Sequence, residues 1–372
     1  MGGMVYADHA ATTPMRPEAL EAMEPFLAEE HGNPSGVHAV SRRAKNALEE
    51  ARERVAAVLG CRPLEVVFTG GGTEADNLAL KGAALARGKR GGVVTVATEH
   101  EAVLESAGFL ERIGCPVTIV AVDSYGRVDP DAVAAAIDAD TAVVSVMWAN
   151  NETGVLQPVQ QLADLVAETG AAFHSDAVQA VASEPVRFAG LDLLSVSAHK
   201  FGGPKGVGAL VVREGVPLEP VVHGGGQELG RRSGTHNVAG AVGLAVALEV
   251  AAADRKRFRR DVGEARRRFE EILLDKIPEA RVNAPTDGRL VQHSHVRIPG
   301  IRNETVLIRL DMGSVAASAG SACQSGASSP SHVLTAMGFS PEASRECLRF
   351  SFGWTTRPAD GEELASALLT AI

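Results

Sequence analysis

Leu191-Asp192-Leu193-Leu194-Ser195-Val196-Ser197-Ala198-His199-Lys200-Phe201-Gly202-Gly203-Pro204 is the stretch on which the reading of this sequence turns. The apolar run Leu191–Val196 reads as a buried strand, closed by a glycine-proline turn. A lysine at the end of a buried strand is badly placed for solvation. Burial lowers an amine's proton affinity and suits it to bond an aldehyde. Taken alone, Lys200 is equally an ordinary surface lysine just past a strand. The preceding strand-like run ends in His174-Ser175-Asp176-Ala177-Val178-Gln179. An amine and a carboxylate therefore stand at the ends of consecutive predicted strands.

Outward from that pair, strand-like runs recur at Glu65–Phe68, Gly92–Ala97, Val117–Val122, Ala142–Trp148, Ala171–Ser175 and Val207–Val212. Helical patterns at Thr73–Arg87, Ala102–Ile113, Asp129–Ile137 and Val159–Glu168 separate them. Strands this apolar, joined by helices, predict an α/β fold with a mostly parallel seven-stranded sheet covered on both faces. Ligands gather at the carboxyl ends of such strands. Beyond Gly234 the pattern changes to a long Ala/Val-rich helix, Val238–Ala253, and a charged one, Arg255–Leu274. Short strand-like pieces follow at His293–Ile298, Ser314–Ser318 and Cys347–Phe352. We divide the chain into a large domain, residues 13–253, and a smaller α+β domain made of residues 1–12 and 254–372.

The composition, 45% hydrophobic and 22% charged over 372 residues, is that of a soluble globular protein. A formal net charge of -10 argues against a general nucleic-acid-binding surface. The basic run Arg255–Arg268 is interleaved with acids and reads as a solvated helix face. Four cysteines without close pairing indicate a reducing compartment. No signal-peptide pattern opens the sequence and no apolar run is long enough to span a membrane, so the expectation is a cytoplasmic protein.

Thr69-Gly70-Gly71-Gly72-Thr73-Glu74 lies between a strand and a helix. It is either a plain turn or an anion cradle, in which glycines admit the ligand and the helix start offers free amides. It matches neither the dinucleotide nor the P-loop fingerprint, so a phosphate without a nucleotide suits it better. Ser197 and His199 can donate to the same phosphate. Asp176 can pair with a pyridine nitrogen, Gln179 can donate to a ring's phenolic oxygen, and His100 can stack on its face. Lysine, carboxylate and phosphate donors together are what a pyridoxal phosphate site requires.

Cys323 sits in Ser318-Ala319-Gly320-Ser321-Ala322-Cys323-Gln324-Ser325-Gly326-Ala327-Ser328-Ser329-Pro330, small polar residues of the kind found in exposed loops. Near cationic groups such a thiol is a candidate nucleophile. Cys61, Cys115 and Cys347 read instead as buried small hydrophobes. Arg349 interrupts an apolar strand, either as a salt-bridged edge residue or as a bidentate clamp on an amino-acid carboxylate. His293 and His295 share a strand face without further ligands nearby, so no metal site is expected.

Segments along nearly the whole chain resemble the cysteine desulfurase family (NifS/IscS-like) of the class V aminotransferase group of pyridoxal-phosphate enzymes. They include Tyr6-Ala7-Asp8-His9-Ala10-Ala11-Thr12-Thr13-Pro14, Gly71-Gly72-Thr73-Glu74-Ala75-Asp76-Asn77, Glu99-His100 and Trp148-Ala149-Asn150-Asn151-Glu152-Thr153-Gly154. Further on come Ser197-Ala198-His199-Lys200, Arg232-Ser233-Gly234-Thr235, Gly320-Ser321-Ala322-Cys323 and Pro330-Ser331-His332-Val333-Leu334. The resemblance implies the type I fold of pyridoxal-phosphate transferases. It further implies that Lys200 bonds pyridoxal 5'-phosphate, that Asp176, Gln179 and His100 position its ring, and that Gly72, Thr73, Ser197 and His199 bind its phosphate. Thr235 would reach across from a second subunit of a homodimer. Asn151 and Arg349 would take the carboxylate of L-cysteine. Lys200 would move the Cα proton, and the Cys323 thiolate would accept the sulfur as a persulfide while alanine leaves. Because the sequence after the Arg349 strand is short, Ser351 to Ile372, the acceptor is either an iron–sulfur scaffold or a tRNA-thiolation or other sulfur-transfer protein. The rival readings are a selenocysteine lyase, an aminotransferase, and a non-catalytic scaffold; the last would not need Lys200 and Cys323.

Overall fold

The computed structural model describes residues 4–87, 91–320 and 330–372. Seven strands form the main sheet: β2 (Val66–Thr69), β3 (Gly92–Val96), β4 (Val117–Val120), β5 (Thr141–Ser145), β6 (Ala172–Asp176), β7 (Leu193–Ser197) and β8 (Gly208–Val212), after a short β1 (Val5–Tyr6). Their spatial order is β2-β8-β7-β6-β5-β3-β4. β8 runs antiparallel to both neighbours and the remaining pairs are parallel. Every residue of β2, β3, β5, β7 and β8 is buried, which is why these runs read as continuously apolar. Of the two edge strands, β2 is buried, whereas β4 is partly open and its Ile119 is exposed.

Before the sheet come α1 (Pro17–Ala28) and α2 (Ala39–Leu59); between its strands lie α3 (Gly72–Ala86), α4 (Glu101–Arg112), α5 (Pro130–Ala136) and α6 (Val159–Ala167). α2 starts where His38 accepts the Ser41 amide and stops at Gly60, whose φ of 74° suits a glycine at a helix end. Where the sequence pattern predicts two helices after Gly234, the structure has one, α7 (Val238–Lys276). Its composition changes because its neighbours change. Ala241 to Ala251 pack into the core beneath the sheet, whereas Phe258 to Leu273 pack into a second core. No glycine or proline lies between Ala251 and Phe258 to interrupt the helix.

That second core is built on β10 (His293–Arg297), which pairs antiparallel with β9 (Arg281–Val282) and β12 (Cys347–Ser351). α8 (Asn303–Met312), β11 (Val315–Ala316), α9 (His332–Ala336), α10 (Pro341–Ser344) and α11 (Asp360–Ala371) complete the chain. β1 pairs in parallel with β11, and Ala7 lies in the second core, so residues 5–7 pack with the last third of the chain. The strand expected over Ser314–Ser318 is only the two-residue β11. β3 and β5 also stop short of their predicted ends, and the chain beyond them supplies His100, Met147 and Asn151 to the functional site, whereas beyond β4 Val122 bridges back to Val128. No helix among the described residues is long and apolar enough to cross a membrane.

Candidate active site

β6 pairs with β7 so that Asp176 lies opposite Ser195, and the two strands emerge side by side. After Ser197 the chain makes one tight turn, Ala198–Lys200. The Gly203 amide donates to the Ala198 carbonyl at 2.8 Å, and buried Phe201 anchors the turn from below. Lys200 is thereby delivered to a cavity of about 290 Å³ that Asp176, Gln179, Ser197 and His199 also line. Its Nζ donates to the carbonyl oxygens of Ala10 at 2.5 Å and Ala11 at 2.9 Å. Gln179 Nε2 donates to the same Ala10 carbonyl at 2.9 Å.

α3 begins at this cavity. Gly71, its N-cap, provides no side-chain cap, so the first amides of the helix remain available to an anion. Gly72 and Thr73 line the wall beside Ser197. A Cβ on Gly72 would lie 3.0 Å from Val178 Cγ2 and 3.4 Å from Ser197 Cβ, so glycine keeps this corner open. Gly208 on β8 is needed for a similar reason: a Cβ there would meet the Gly71 backbone at 2.7 Å. Burial and the nearby Lys200 and Lys205 push the His199 imidazole down to about 4, leaving it neutral near pH 7.

Asp176 is 7% exposed and its Oδ1 accepts the Val178 amide at 2.8 Å. Burial pushes its carboxyl up, against the pull of His100 and Lys200. A carboxylate at this depth keeps its charge best beside a cation, which a protonated pyridine nitrogen would supply. His100 lines the cavity and also caps α4, its Nδ1 accepting the Ala102 amide at 3.1 Å. Burial lowers its proton affinity while Asp176 raises it. Three further polar atoms of lining residues, Asp76 Oδ1, Asn151 Oδ1 and Arg349 Nε, are buried without a hydrogen-bond partner among the described residues. Open helix amides, a buried carboxylate and a lysine amine around one polar cavity fit pyridoxal 5'-phosphate.

The opposite wall comes from elsewhere in the chain. Arg349 sits in the middle of β12, 2% exposed, facing His295 across the strand pair. Its Nη1 donates to the carbonyls of Asn151 at 3.0 Å and Gly320 at 3.2 Å, and its Nη2 to Asp8 Oδ1 at 2.8 Å. β12 is an edge strand of its sheet and Arg349 is salt-bridged there to Asp8, so this residue has the features of a salt-bridged edge position while also lining the cavity as a carboxylate clamp would. Thr235 is exposed and does not line the cavity of its own chain. Cys323 lies outside the described residues. Burial pushes the Cys61 and Cys347 thiols up to about 12 and raises that of Cys115 as well. Cys61 is only half-buried, less enclosed than the sequence reading expected. His293 and His295 are fully buried, with imidazoles pushed down to about 3. Among the described residues no cluster of His, Cys, Asp or Glu has the arrangement of a metal site.

Sequence reasoning assigned no role to Asp76, Glu152 and His332, which also line the cavity. Asp76 was detectable: an acid with Ala79 and Leu80 three and four residues on lies on the buried face of α3. Glu152 accepts the Ser331 hydroxyl at 2.7 Å, and His332 Nε2 donates to the Glu99 carbonyl at 2.8 Å. No local pattern marks either contact.

The model of the family described as "Aminotransferase class-V" matches residues 5–364. The chain is 43% identical over 359 residues to "Cysteine desulfurase IscS" of Dictyoglomus turgidum, covering 96% of this chain and 91% of that one. Among solved structures it is similar to a "NIFS-LIKE PROTEIN" with a TM-score of 0.93 and 35% identity, covering 100% of both chains. It is also similar to "SspA in complex with cysteine", with a TM-score of 0.83 and 36% identity over 93% of this chain and 98% of that one.

Proposed function

This chain belongs to the class-V aminotransferase family, and from that footing we propose that it is a cysteine desulfurase of the type I pyridoxal-phosphate fold, converting L-cysteine to L-alanine and passing the sulfur onward through an enzyme cysteine. The observation that carries this reading is the convergence of Lys200, Asp176 and Arg349 from three separate segments on one cavity. Pyridoxal 5'-phosphate, when bound, supplies an electron sink for the ionisation of an amino acid's Cα–H bond. The α3 amides at Gly72 and Thr73, with Ser197 and His199, hold the phosphate. Asp176 holds the ring nitrogen, with Gln179 and His100 beside the ring. Asn151 and Arg349 hold the substrate carboxylate. Lys200 Nζ carries the proton taken from Cα and returns one as alanine forms.

Sulfur leaves by attack of the Cys323 thiolate. The S–S bond forms as the substrate's Cβ–S bond breaks, and the carbon receives a proton. Two observations support this assignment. Gly320, three residues before Cys323, lines the cavity, and Ser331, eight residues after it, bonds Glu152 in the cavity wall. The other three thiols are held too far up by burial to be ready nucleophiles at neutral pH. We further propose a cytoplasmic homodimer in which exposed Thr235 completes the partner's phosphate site, with an iron–sulfur scaffold or a thiolation protein as sulfur acceptor.

The test is incubation of the cofactor-loaded protein with L-cysteine. Alanine and sulfide should appear in equal amounts under reducing conditions, and mass spectrometry after brief exposure should find one extra sulfur on Cys323. Extra sulfur on Cys61, Cys115 or Cys347 would overturn the nucleophile. Absence of alanine would overturn the reaction. An active monomer in sedimentation at assay concentration would remove the role of Thr235.

A further inference from the structure

Arg349 does not meet the cavity as a bare cation. Its guanidinium is almost completely buried, and a charge at that depth requires a counter-ion. Both Nη1 contacts are to neutral main-chain carbonyls, those of Asn151 and Gly320. These orient the plane of the group without neutralising it. The ionic partner is Asp8, at 2.8 Å from Nη2. It comes from the opposite end of the chain and is fixed there by the backbone. Asp8 bridges Ser351, the Ser351 amide donates to the Ala7 carbonyl at 2.8 Å, and the Tyr6 hydroxyl donates to the Asp8 carbonyl at 3.2 Å.

Other ionisable groups near Arg349 compensate it poorly. Glu152 is pushed toward its neutral form by burial and has its Oε2 occupied by Ser331. His293 and His295 are neutral rings at pH 7. Asp8 is thus the one carboxylate bonded to the arginine among the described residues.

We propose that Asp8 competes with the substrate carboxylate for Arg349 and so sets the affinity for the amino-acid substrate. The inference rests on the desulfurase reading, in which Arg349 takes that carboxylate. A second carboxylate on the same guanidinium meets Asp8 at close range. At a separation of about 5 Å and an effective dielectric of about 20, the repulsion corresponds to roughly 200-fold in binding. Either Asp8 gives way or the substrate is held that much less tightly. Substrate can then leave readily when the next step is slow, so the pair trades affinity for turnover at high cysteine.

Asp8→Asn keeps the size of the side chain and an oxygen that can accept from Nη2, while removing the charge. The two carbonyl contacts remain to orient Arg349. In the cofactor-loaded enzyme, the KM for L-cysteine should fall at least tenfold with kcat changed much less, the pattern of altered uniform binding. Calorimetric titration with L-alanine, which reads the same carboxylate site without sulfur transfer, should show affinity rising in parallel. Asp8→Glu, which retains the charge, should return both values toward the parent. Simple loss of structure predicts the opposite direction, a higher KM and weaker alanine binding, so the sign decides between the two. If the asparagine variant is not obtained folded, Asp8→Ser carries the same expectation. Unchanged or weakened alanine affinity in the neutral variant would overturn the proposal and leave Asp8 as a mere orienting group. A parent enzyme that releases no alanine from cysteine would sink the functional reading instead, and the alanine affinities would still decide the role of Asp8.

Discussion

The two walls of the cavity are built by different means. On the sheet side, Asp176, Ser197, His199 and Lys200 sit at or just past the carboxyl ends of two adjacent parallel strands, where register alone fixes their spacing. On the other side, Arg349 is held by carbonyls of Asn151 and Gly320 and by Asp8, groups from three distant parts of the chain. The first wall is a by-product of strand geometry. The second depends on contacts between segments that belong to different cores. We expect the first to govern the cofactor and the second to govern the substrate, so variants on the two sides should separate into distinct phenotypes.

The largest effect belongs to the sheet wall. Lys200→Ala should abolish turnover and the visible absorption band of covalently held cofactor, because no other amine is proposed to bond the aldehyde. Retention of that band after dialysis would break the assignment. Asp176→Asn comes next: it leaves the ring nitrogen without its anion and should remove most activity while shifting the cofactor spectrum. Parent-like turnover would mean that the ring lies elsewhere. On the other wall, Arg349→Ala should leave the cofactor spectrum intact and weaken substrate. A charge-assisted hydrogen bond is worth roughly 1.5–3 kcal/mol, or about a 10- to 150-fold rise in KM. A changed cofactor band in that variant, with KM unaltered, would collapse the distinction between the walls.

The same division explains what could be read from sequence. The apolar runs that became β5, β7 and β8 are buried on both faces, so their composition alone announces strands, and residues at their ends were found with them. α1 and α2 carry no such signature. α2 is dense in Arg and Glu, and its buried stripe, Ala44, Leu48, Ala51 and Val55, is interleaved with them. α7 reads as two helices in sequence because its composition tracks the core it touches rather than its own continuity. Arg349 stands out in sequence as a charge interrupting an apolar strand and Asn151 through the resemblance, but the partnership of Arg349 with Asp8 spans 341 positions. No local periodicity encodes a contact of that separation. Asp76 is the intermediate case, legible as an acid on a buried helix face although its function is not.

The smallest effect tests what holds the two walls in register. Among the described residues α7 is the one helix with buried residues in both cores, and exposed Ala253 lies between the last residue packed under the sheet, Ala251, and the first packed in the second core, Phe258. Glycine there removes no contact with either core but costs about 1 kcal/mol of helix stability. Spread over an unfolding entropy of about 2.1 cal/mol/K per residue, that lowers Tm by roughly 1 °C for a chain of this length. Ala253→Gly should leave the cofactor spectrum unchanged and raise KM by less than about threefold, the kinetic counterpart of under 1 kcal/mol. Ala253→Pro, at about 3 kcal/mol, should displace Arg349 from Lys200 and raise KM further, again without touching the cofactor band. If both variants bind cysteine like the parent, the helix is only a connector, and the long-range contacts of Arg349 alone keep the substrate wall in place. If instead the proline variant loses its cofactor, the walls are not independent, and the cavity must be treated as one cooperative unit.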